Sequence, residues 1–223
     1  MTWSLPDNWV LPEGEQFYTK FKVRGELYSM TEPDYVIAEK YIKDKRVAVD
    51  VGAHIGTTVA RYCANFNFVH AFEPVYMKEC LANVGHLENV KFYESALSDK
   101  VGTQEMFAAA GNTGATAIKT KENEEILENS TLNFRMIAPK AVSTAPLDDY
   151  SLTEVDFIKL DTEGYVLPIL KGMLATLEVN QYPLLQIEMN RLNPQTQECF
   201  DFLNNLGYNL VDQYHVDHFF ARK

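Results

Sequence analysis

The chain has 223 residues, is 46% hydrophobic and carries a formal net charge of −11. Such a length suits one large α/β domain or two small ones, with roughly 70% of the unfolded surface buried on folding. The acidic balance argues against a nucleic-acid groove, which needs dense Lys and Arg, and no apolar run approaches the ~18 residues of a membrane span.

The elements fall into three stretches. Residues 1 to 45 are expected to form an N-terminal cap, and residues 46–223 the main domain, with an insertion at about 100–150. The opening "MTWSLPDNWVLPEGEQ" lacks the basic start and apolar core of a signal peptide. Pro6, Pro12 and Pro33 punctuate the cap, for which we expect loops, a short strand near Phe17–Val23 and a helix near Pro33–Ile42. Trp3, Trp9, Phe17 and Tyr18 are expected to cover a sheet edge.

From Arg46 the pattern becomes regular. "RVAVDVG" predicts a buried strand, Ile55–Tyr62 a helix, and "FVHAFEP" a second strand that stops at Pro74. "VYMKECLANVGH" predicts a helix with Val75, Cys80, Leu81 and Val84 inward, and "VKFYESALS" a third strand from Val90. Strand–helix alternation at this spacing predicts a parallel, doubly wound α/β sheet. Residues 100 to 150 break the rhythm, with a glycine-bearing hairpin or loop, a charged stretch "KTKENEEILENS", and an edge strand in "NFRMIAPKAVST" interrupted by Pro139. The rhythm then returns: strand "VDFIKLD", helix "GYVLPILKGMLATLE" with Pro168 in its first turn or at a kink, strand "YPLLQIEMN", and helix Thr196–Leu206 closed by Gly207. "YNLVDQYHVDHFFAR" supplies closing antiparallel strands.

The chemistry-bearing residues gather where strands end. Asp50, Gly52 and Gly56 form D-x-G-x-x-x-G, which is neither a G-x-G-x-x-G dinucleotide fingerprint nor a phosphate loop. In an open α/β sheet, ligands sit at the carboxyl ends of the strands. A carboxylate there repels a pyrophosphate and attracts an ammonium, and glycine lets the backbone approach a ligand. S-adenosylmethionine has an ammonium, a sulfonium and an adenosine but no phosphate, so it fits this turn better than NAD or ATP. His54 lies between the glycines, where it fills the turn with its ring able to approach the pocket. Glu73 ends the second strand and is placed to accept both ribose hydroxyls. Ser98 and Asp99, in "SALSD", are candidates for the adenine edge and equally good turn formers.

"IKLDTEG" puts Lys159, Asp161 and Glu163 at the end of a buried strand, where charges are costly unless paired or functional. Asp161 could face the methyl donor or a substrate hydroxyl, Glu163 could favour the following helix N-terminus, and Lys159 could pair with an acid. Glu188 ends the next strand in "QIEMN". Asp161 and Glu188 are a candidate pair for a divalent cation such as Mg²⁺. His215, Asp217 and His218 resemble a ligand set, but their spacing favours surface or edge histidines. Cys63, Cys80 and Cys199 lie far apart without zinc spacing, which predicts reduced, part-buried thiols and a cytoplasmic protein.

The pieces "VDVGAHIGTT", "AFEP", "ESALSD", "APLDDY", "VDFIKLDTEG", "VLPILKGM" and "LLQIEMN" follow one another over residues 46 to 190. In this order they resemble the FkbM family of S-adenosylmethionine-dependent methyltransferases. The resemblance implies a class I methyltransferase (Rossmann-like) fold, a mostly parallel seven-stranded sheet with the last strand antiparallel. It also implies methyl transfer to a hydroxyl oxygen of a sugar, polysaccharide precursor or small metabolite. By this similarity Asp50, Gly52 and Gly56 map to the cofactor turn, Glu73 to the ribose acid, and Ser98 and Asp99 to the segment near adenine. Asp161, Glu163 and Gly164 map to the D-x-E-G signature. Two positions depart from the family's pattern: His54, in the cofactor turn, stands where the family usually has asparagine, and Val166, in "EGYV", where it more often has a second acid. For the reaction, Asp161 is the candidate base, with Glu188 or Glu163 in support. The competing readings are an NAD(P)-dependent oxidoreductase on a related sheet, opposed by Asp50 and the missing fingerprint, and a non-catalytic binding or scaffold protein of the same fold. The expected partner is a small-molecule or saccharide acceptor rather than nucleic acid.

Overall fold

The centre of the structure is β1 (Val47–Val51), a five-residue run buried along its whole length. It pairs in parallel with β2 (Phe68–Phe72) on one side and β8 (Val155–Leu160) on the other. Val, Ala, Phe and Ile fill these three strands because both faces of the sheet are covered, which leaves no need for polar alternation. The computed structural model describes residues 8–24, 31–109, 111–120, 136–189, 193 and 195–222. Trp3 and most of the "KTKENEEILENS" stretch lie outside the described residues.

With β3 (Val90–Tyr93), β9 (Leu184–Glu188), β10 (Tyr208–Tyr214) and β11 (Asp217–Arg222), the seven-stranded sheet has the order β10-β11-β9-β8-β1-β2-β3. β11 runs antiparallel to both β9 and β10, while the other pairings are parallel. The last strand is thus the reversed one, inserted between its two predecessors. On one face Tyr35, Ala38, Tyr62 and Phe66 pack over Ala48, Phe157, Leu184 and Phe219. On the other, Leu167, Leu170, Leu177 and Leu203 pack over Val49, Ile158, Leu185 and Phe220. The first group comes from α2 (Glu32–Glu39), α3 (Thr57–Cys63) and the turn after α3. The second comes from α5 (Val166–Lys171), α6 (Leu174–Val179) and α7 (Thr196–Asn205).

Several local expectations need correction. Phe17–Arg24 is a helix, α1, and not a strand. The alternation in "FYTKFKV" is overridden by Glu15, whose side chain accepts the Tyr18 N–H at 2.8 Å and caps the first turn. Phe17 and Phe21, four apart, then pack with ring centroids 5.2 Å apart and planes tilted by 58°. In α4 (Met77–Val84) the inner stripe is Met77, Cys80 and Val84, and Leu81 is 45% exposed, because the helix begins two residues later than expected. The predicted third strand splits: Val90–Tyr93 stays in the main sheet, while β4 (Ala96–Leu97) joins a second one. The predicted helix after β8 also splits, at Gly172 and Met173, with Pro168 in the first turn of α5.

The second sheet has the order β4-β7-β5-β6, with β5 (Gly102–Ala109), β6 (Asn112–Ile118) and β7 (Met136–Ala145). β7 is therefore interior rather than an edge strand. Pro139 is tolerated because it falls where the β5–β7 register shifts between Met106 and Ala108, so no ladder bond is asked of it. His218 is buried at 4% exposure and is not a surface histidine; only His215 sits in the exposed β10–β11 turn.

Gly52 joins the two halves of the main sheet. Its φ is +87°, and a Cβ there would lie 1.9 Å from the Asp161 carbonyl oxygen. Gly52→Ala should lower stability by about 2–4 kcal/mol, combining left-handed strain with overpacking. A urea titration showing an unshifted midpoint would contradict this close approach.

Candidate functional site

The turn after β1 is held from below by β2: Gly52 and Ala53 donate their N–H groups to the Phe72 carbonyl at 3.0 and 3.1 Å. Gly56, at φ +94°, begins α3, and a Cβ there would meet Val84 Cγ2 at 2.6 Å. The first glycine of the motif thus clears space for Asp161, and the second lets α3 lie against α4.

Glu73 is 5% exposed and anchors this turn from the end of β2. One carboxylate oxygen accepts the Val75 and Tyr76 N–H groups at 2.7 and 2.9 Å, and the other accepts the His54 N–H at 2.8 Å. Burial raises its pKa, opposed by these backbone donors. The oxygen facing His54 retains a free lone pair, so Glu73 can hold two loops and still accept from a ligand hydroxyl.

Above the turn opens a cleft at the carboxyl ends of the central strands. Gly52, Glu73, Asp161 and Thr162 form its floor; Phe72, Ser95, Ala96 and Leu97 one end; Tyr18, His54, Tyr76, Thr113 and Thr116 its roof and mouth. Ser98 and Asp99 stand outside it. Ser98 is 1% exposed, its hydroxyl within 3.1 Å of the Tyr165 hydroxyl, and Asp99 is exposed. The segment identified in the sequence does reach the cleft, but through Ser95–Leu97.

Asp50 lies behind the cleft wall at 0% exposure. One oxygen accepts from Thr58; the other, Oδ1, is buried without a hydrogen-bond partner among the described residues. Burial raises its pKa, opposed by the charge of Lys159. In register, Asp50 faces Lys159 and Lys159 faces Gln186, so a polar row crosses three strands on the α2–α3 side. Two residues further along β8, beyond its end, is Asp161, which accepts from Lys159 Nζ at 2.6 Å. Burial would raise the Asp161 pKa, but the neighbouring ammonium outweighs it and lowers it. Burial would lower the Lys159 pKa, but Asp161 and Asp50 hold it well above the ordinary lysine value.

Asp161, Glu163 and Glu188 converge, with one carboxylate oxygen of each within 4.8 Å of the others. Burial, and then the Asp161 charge, push Glu163 up to about 8 and Glu188 well above the ordinary glutamate value. Glu188 faces Asp217 across β11. Asp217 binds Gln186 Nε2 at 2.8 Å, and His218 Nδ1 lies 2.9 Å from the Val216 carbonyl, so this trio does not form a ligand set.

The residues the sequence did not signal are Glu15 and Thr113. Glu15 is 7% exposed and accepts from both the N–H and the hydroxyl of Thr113, whose hydroxyl is also 2.8 Å from His54 Nε2. No local pattern marks a contact between positions 98 apart in sequence.

A doubly wound sheet with its final strand reversed, bearing an acid–glycine turn beneath an open cleft, defines a class I methyltransferase fold. Residues 50–210 match the methyltransferase FkbM domain, more than half of the chain, and the chain belongs to the FkbM methyltransferase family. Membership carries S-adenosylmethionine as the methyl donor, and the side-chain-free Gly52 and the Glu73 carboxylate with a lone pair to spare, both lining the cleft, fit such a group. The FkbM methyltransferase from Methylobacillus flagellatus KT superposes with a TM-score of 0.51 at 16% identity. The match covers 80% of this chain but 44% of that one, so this chain spans less than half of that protein's length. A ribosomal protein L11 methylase from Lactobacillus delbrueckii subsp. bulgaricus superposes at 0.50 and 10% identity, covering 89% and 78% of the two chains. These likenesses speak for the fold. No curated protein sequence matches the chain. No helix among the described residues is long and apolar enough to cross a membrane.

The carboxylate cluster predicts a pH dependence. Glu163 loses its proton near 4.5 when unfolded and near 8 when folded. Between those values the folded state holds more protons, so stability falls as pH rises, and Glu188 acts in the same sense. His54 acts oppositely: burial lowers it to about 4 from 6.5, so its cost appears as pH falls below 6.5. The Tm of the ligand-free protein should therefore drop from pH 6.5 to 8, and Glu163→Gln should flatten that drop. Calorimetric scans giving a Tm that rises across this window would refute the cluster's electrostatics.

Proposed function

We propose that the protein transfers a methyl group from S-adenosylmethionine to a hydroxyl oxygen of a small metabolite, sugar or polysaccharide precursor. The observation that carries this reading is the convergence of Asp161, Glu163 and Glu188, with Asp161 on the floor of the cleft. The donor, when bound, supplies an electrophilic methyl on sulfur. The chain's task is then to align the attacking oxygen and take its proton.

The electrostatics divide that task. Asp161, held ionised by Lys159, is a weak proton acceptor and serves to orient the acceptor hydroxyl or the donor's ammonium. Glu163, pushed up to about 8, and Glu188, raised well above the ordinary glutamate value by burial and the Asp161 charge, bind a proton more tightly than Asp161 and are better matched to general-base work. Glu73 takes a ribose hydroxyl on its remaining lone pair, and Ser95–Leu97 border the adenine. Gly52 and His54 shape the turn. Asp50, lacking a face on the cleft, acts on the ammonium through its field and its hold on Lys159. Gly56 sets the α3 entry, and Ser98 and Asp99 form the turn behind the adenine wall. Residues 1–45 and the insertion at about 100–150 serve as a cap that selects the acceptor.

The chemistry can be tested before the acceptor is known. A screen with radiolabelled S-adenosylmethionine against hydroxyl-bearing metabolites and saccharides should yield a methyl product stable to mild base, as an ether is. A base-labile product releasing methanol would mean carboxyl methylation, and labelled amines would mean nitrogen transfer; either would displace the oxygen assignment. With the acceptor found, Glu188→Gln should lower kcat by about 10²–10⁴-fold with S-adenosylhomocysteine affinity nearly intact. Asp161→Asn should raise the acceptor KM or weaken cofactor binding as well. If only Asp161→Asn shows the large kcat loss, the base is Asp161.

A second reading concerns a metal. Three converging carboxylates offer oxygen ligands to a hard cation such as Mg²⁺, which would lower the pKa of the attacking hydroxyl. In that case turnover should vanish after exhaustive chelation and return with Mg²⁺. Full turnover in the presence of a chelator would end this reading.

A further inference from the structure

The hydroxyl of Thr113 has one proton and two buried neighbours. It donates to the Glu15 carboxylate, which also accepts the Thr113 N–H at 2.7 Å. Having spent its proton there, it can only accept from His54 Nε2, 2.8 Å away. His54 is therefore the tautomer protonated on Nε2, and Nδ1 carries a lone pair. That atom is buried and has no hydrogen-bond partner among the described residues. Burial keeps the ring neutral, with a pKa of about 4. The imidazole is clamped between Tyr18, at 4.8 Å between ring centroids, and Tyr76, at 5.2 Å. All three side chains line the cleft, and the backbone of His54 is fixed by Glu73. A buried acceptor so firmly oriented and left unpaired calls for a donor from a ligand.

We infer that Glu15 and Thr113 are positioning residues that fix the tautomer of His54, so that its Nδ1 accepts a hydrogen bond from a hydroxyl or ammonium of the bound methyl donor. This rests on the reading of the cleft as the donor site. It makes the N-terminal arm and the second sheet working parts of that site, because Glu15 lies two residues before α1 and Thr113 lies on β6. The turn residue itself contributes a neutral acceptor, which suits a polar donor group and rejects an anion.

The test begins without ligand. Nitrogen-15 NMR of the histidine-labelled protein at pH 7 should show His54 with Nε2 protonated and Nδ1 bare. S-adenosylhomocysteine should then move the Nδ1 resonance as it accepts a hydrogen bond. Thr113→Val, which keeps the branched shape, should release the tautomer into a mixture and weaken S-adenosylhomocysteine by about three- to tenfold in calorimetry. His54→Leu should weaken it by about tenfold. His54→Asn, whose amide oxygen can occupy the Nδ1 position, should recover most of that loss, and in its background Thr113→Val should add nothing. Adenosine separates the two donor groups: if His54→Leu weakens adenosine equally, the ribose hydroxyl is the partner; if it weakens only S-adenosylhomocysteine, the ammonium is. A ring protonated on Nδ1 in the free protein, or unchanged affinity for both ligands in His54→Leu and Thr113→Val, would overturn the inference. A wild type that bound no S-adenosylhomocysteine would instead remove the donor-site reading, and this inference with it.

Discussion

One buried ammonium organises the working edge of the sheet. Lys159 has a side chain 7% exposed, Asp50 opposite it in register and Asp161 bonded to it at 2.6 Å. An unpaired lysine in that position would lose its charge, and the two aspartates would lose theirs. Together they form a row of alternating charge across β1 and β8 and its end, continued by the buried Gln186 of β9. Deleting Lys159 would leave two buried carboxylates uncompensated, which makes it the member the row can least lose. The row also distributes function. It keeps Asp161 ionised, and the Asp161 charge in turn raises the proton affinity of Glu163 and Glu188. Three similar side chains thereby acquire different proton affinities.

The row bears on the first of the two glycines. With Asp161 pulled toward Lys159, its backbone passes so near Gly52 that any side chain would collide with the carbonyl. Gly56 answers to a different neighbour, Val84 of α4, and so belongs to helix packing. A single sequence motif thus contains one residue governed by the floor of the cleft and one governed by the core beneath.

The sheet was legible because its strands are short β-branched runs closed by glycine, proline or acids. "RVAVDVG", "FVHAFEP" and "VDFIKLD" carry their ends with them, and Asp50, Glu73 and Asp161 could be placed at those ends from local pattern alone. The closing strands of "YNLVDQYHVDHFFAR" were read as antiparallel from the sequence, but the number of strands came from resemblance, since β-pairing order has no local signature. The helix α1 was misjudged because its cap is a side-chain contact, which periodicity does not encode. The third strand concealed its division at Glu94 and Ser95 because nothing in "FYESAL" marks a change of sheet. Glu15 and Thr113 could not have been singled out, as each is an ordinary residue until the fold brings the N-terminal arm onto β6.

That arm bears on how the cleft is built. The floor, built from Gly52, Glu73 and Asp161, uses strand ends. The roof is assembled from segments remote in sequence: Tyr18 on α1, Tyr76 before α4, Thr113 and Thr116 on β6. Gln16 and Phe17 both donate to the Gly111 carbonyl, at 3.0 and 2.9 Å, so the arm is tied to the hairpin tip by backbone as well as by Glu15. Tyr76 reaches the Thr116 hydroxyl at 3.2 Å and closes the opposite side. A roof made of hydroxyls and neutral rings, over a floor of carboxylates, recognises by hydrogen bonding and leaves charge to the floor. The arm and the hairpin hold one another through backbone and side-chain bonds, while the turn beneath is held separately by the Phe72 carbonyl of β2.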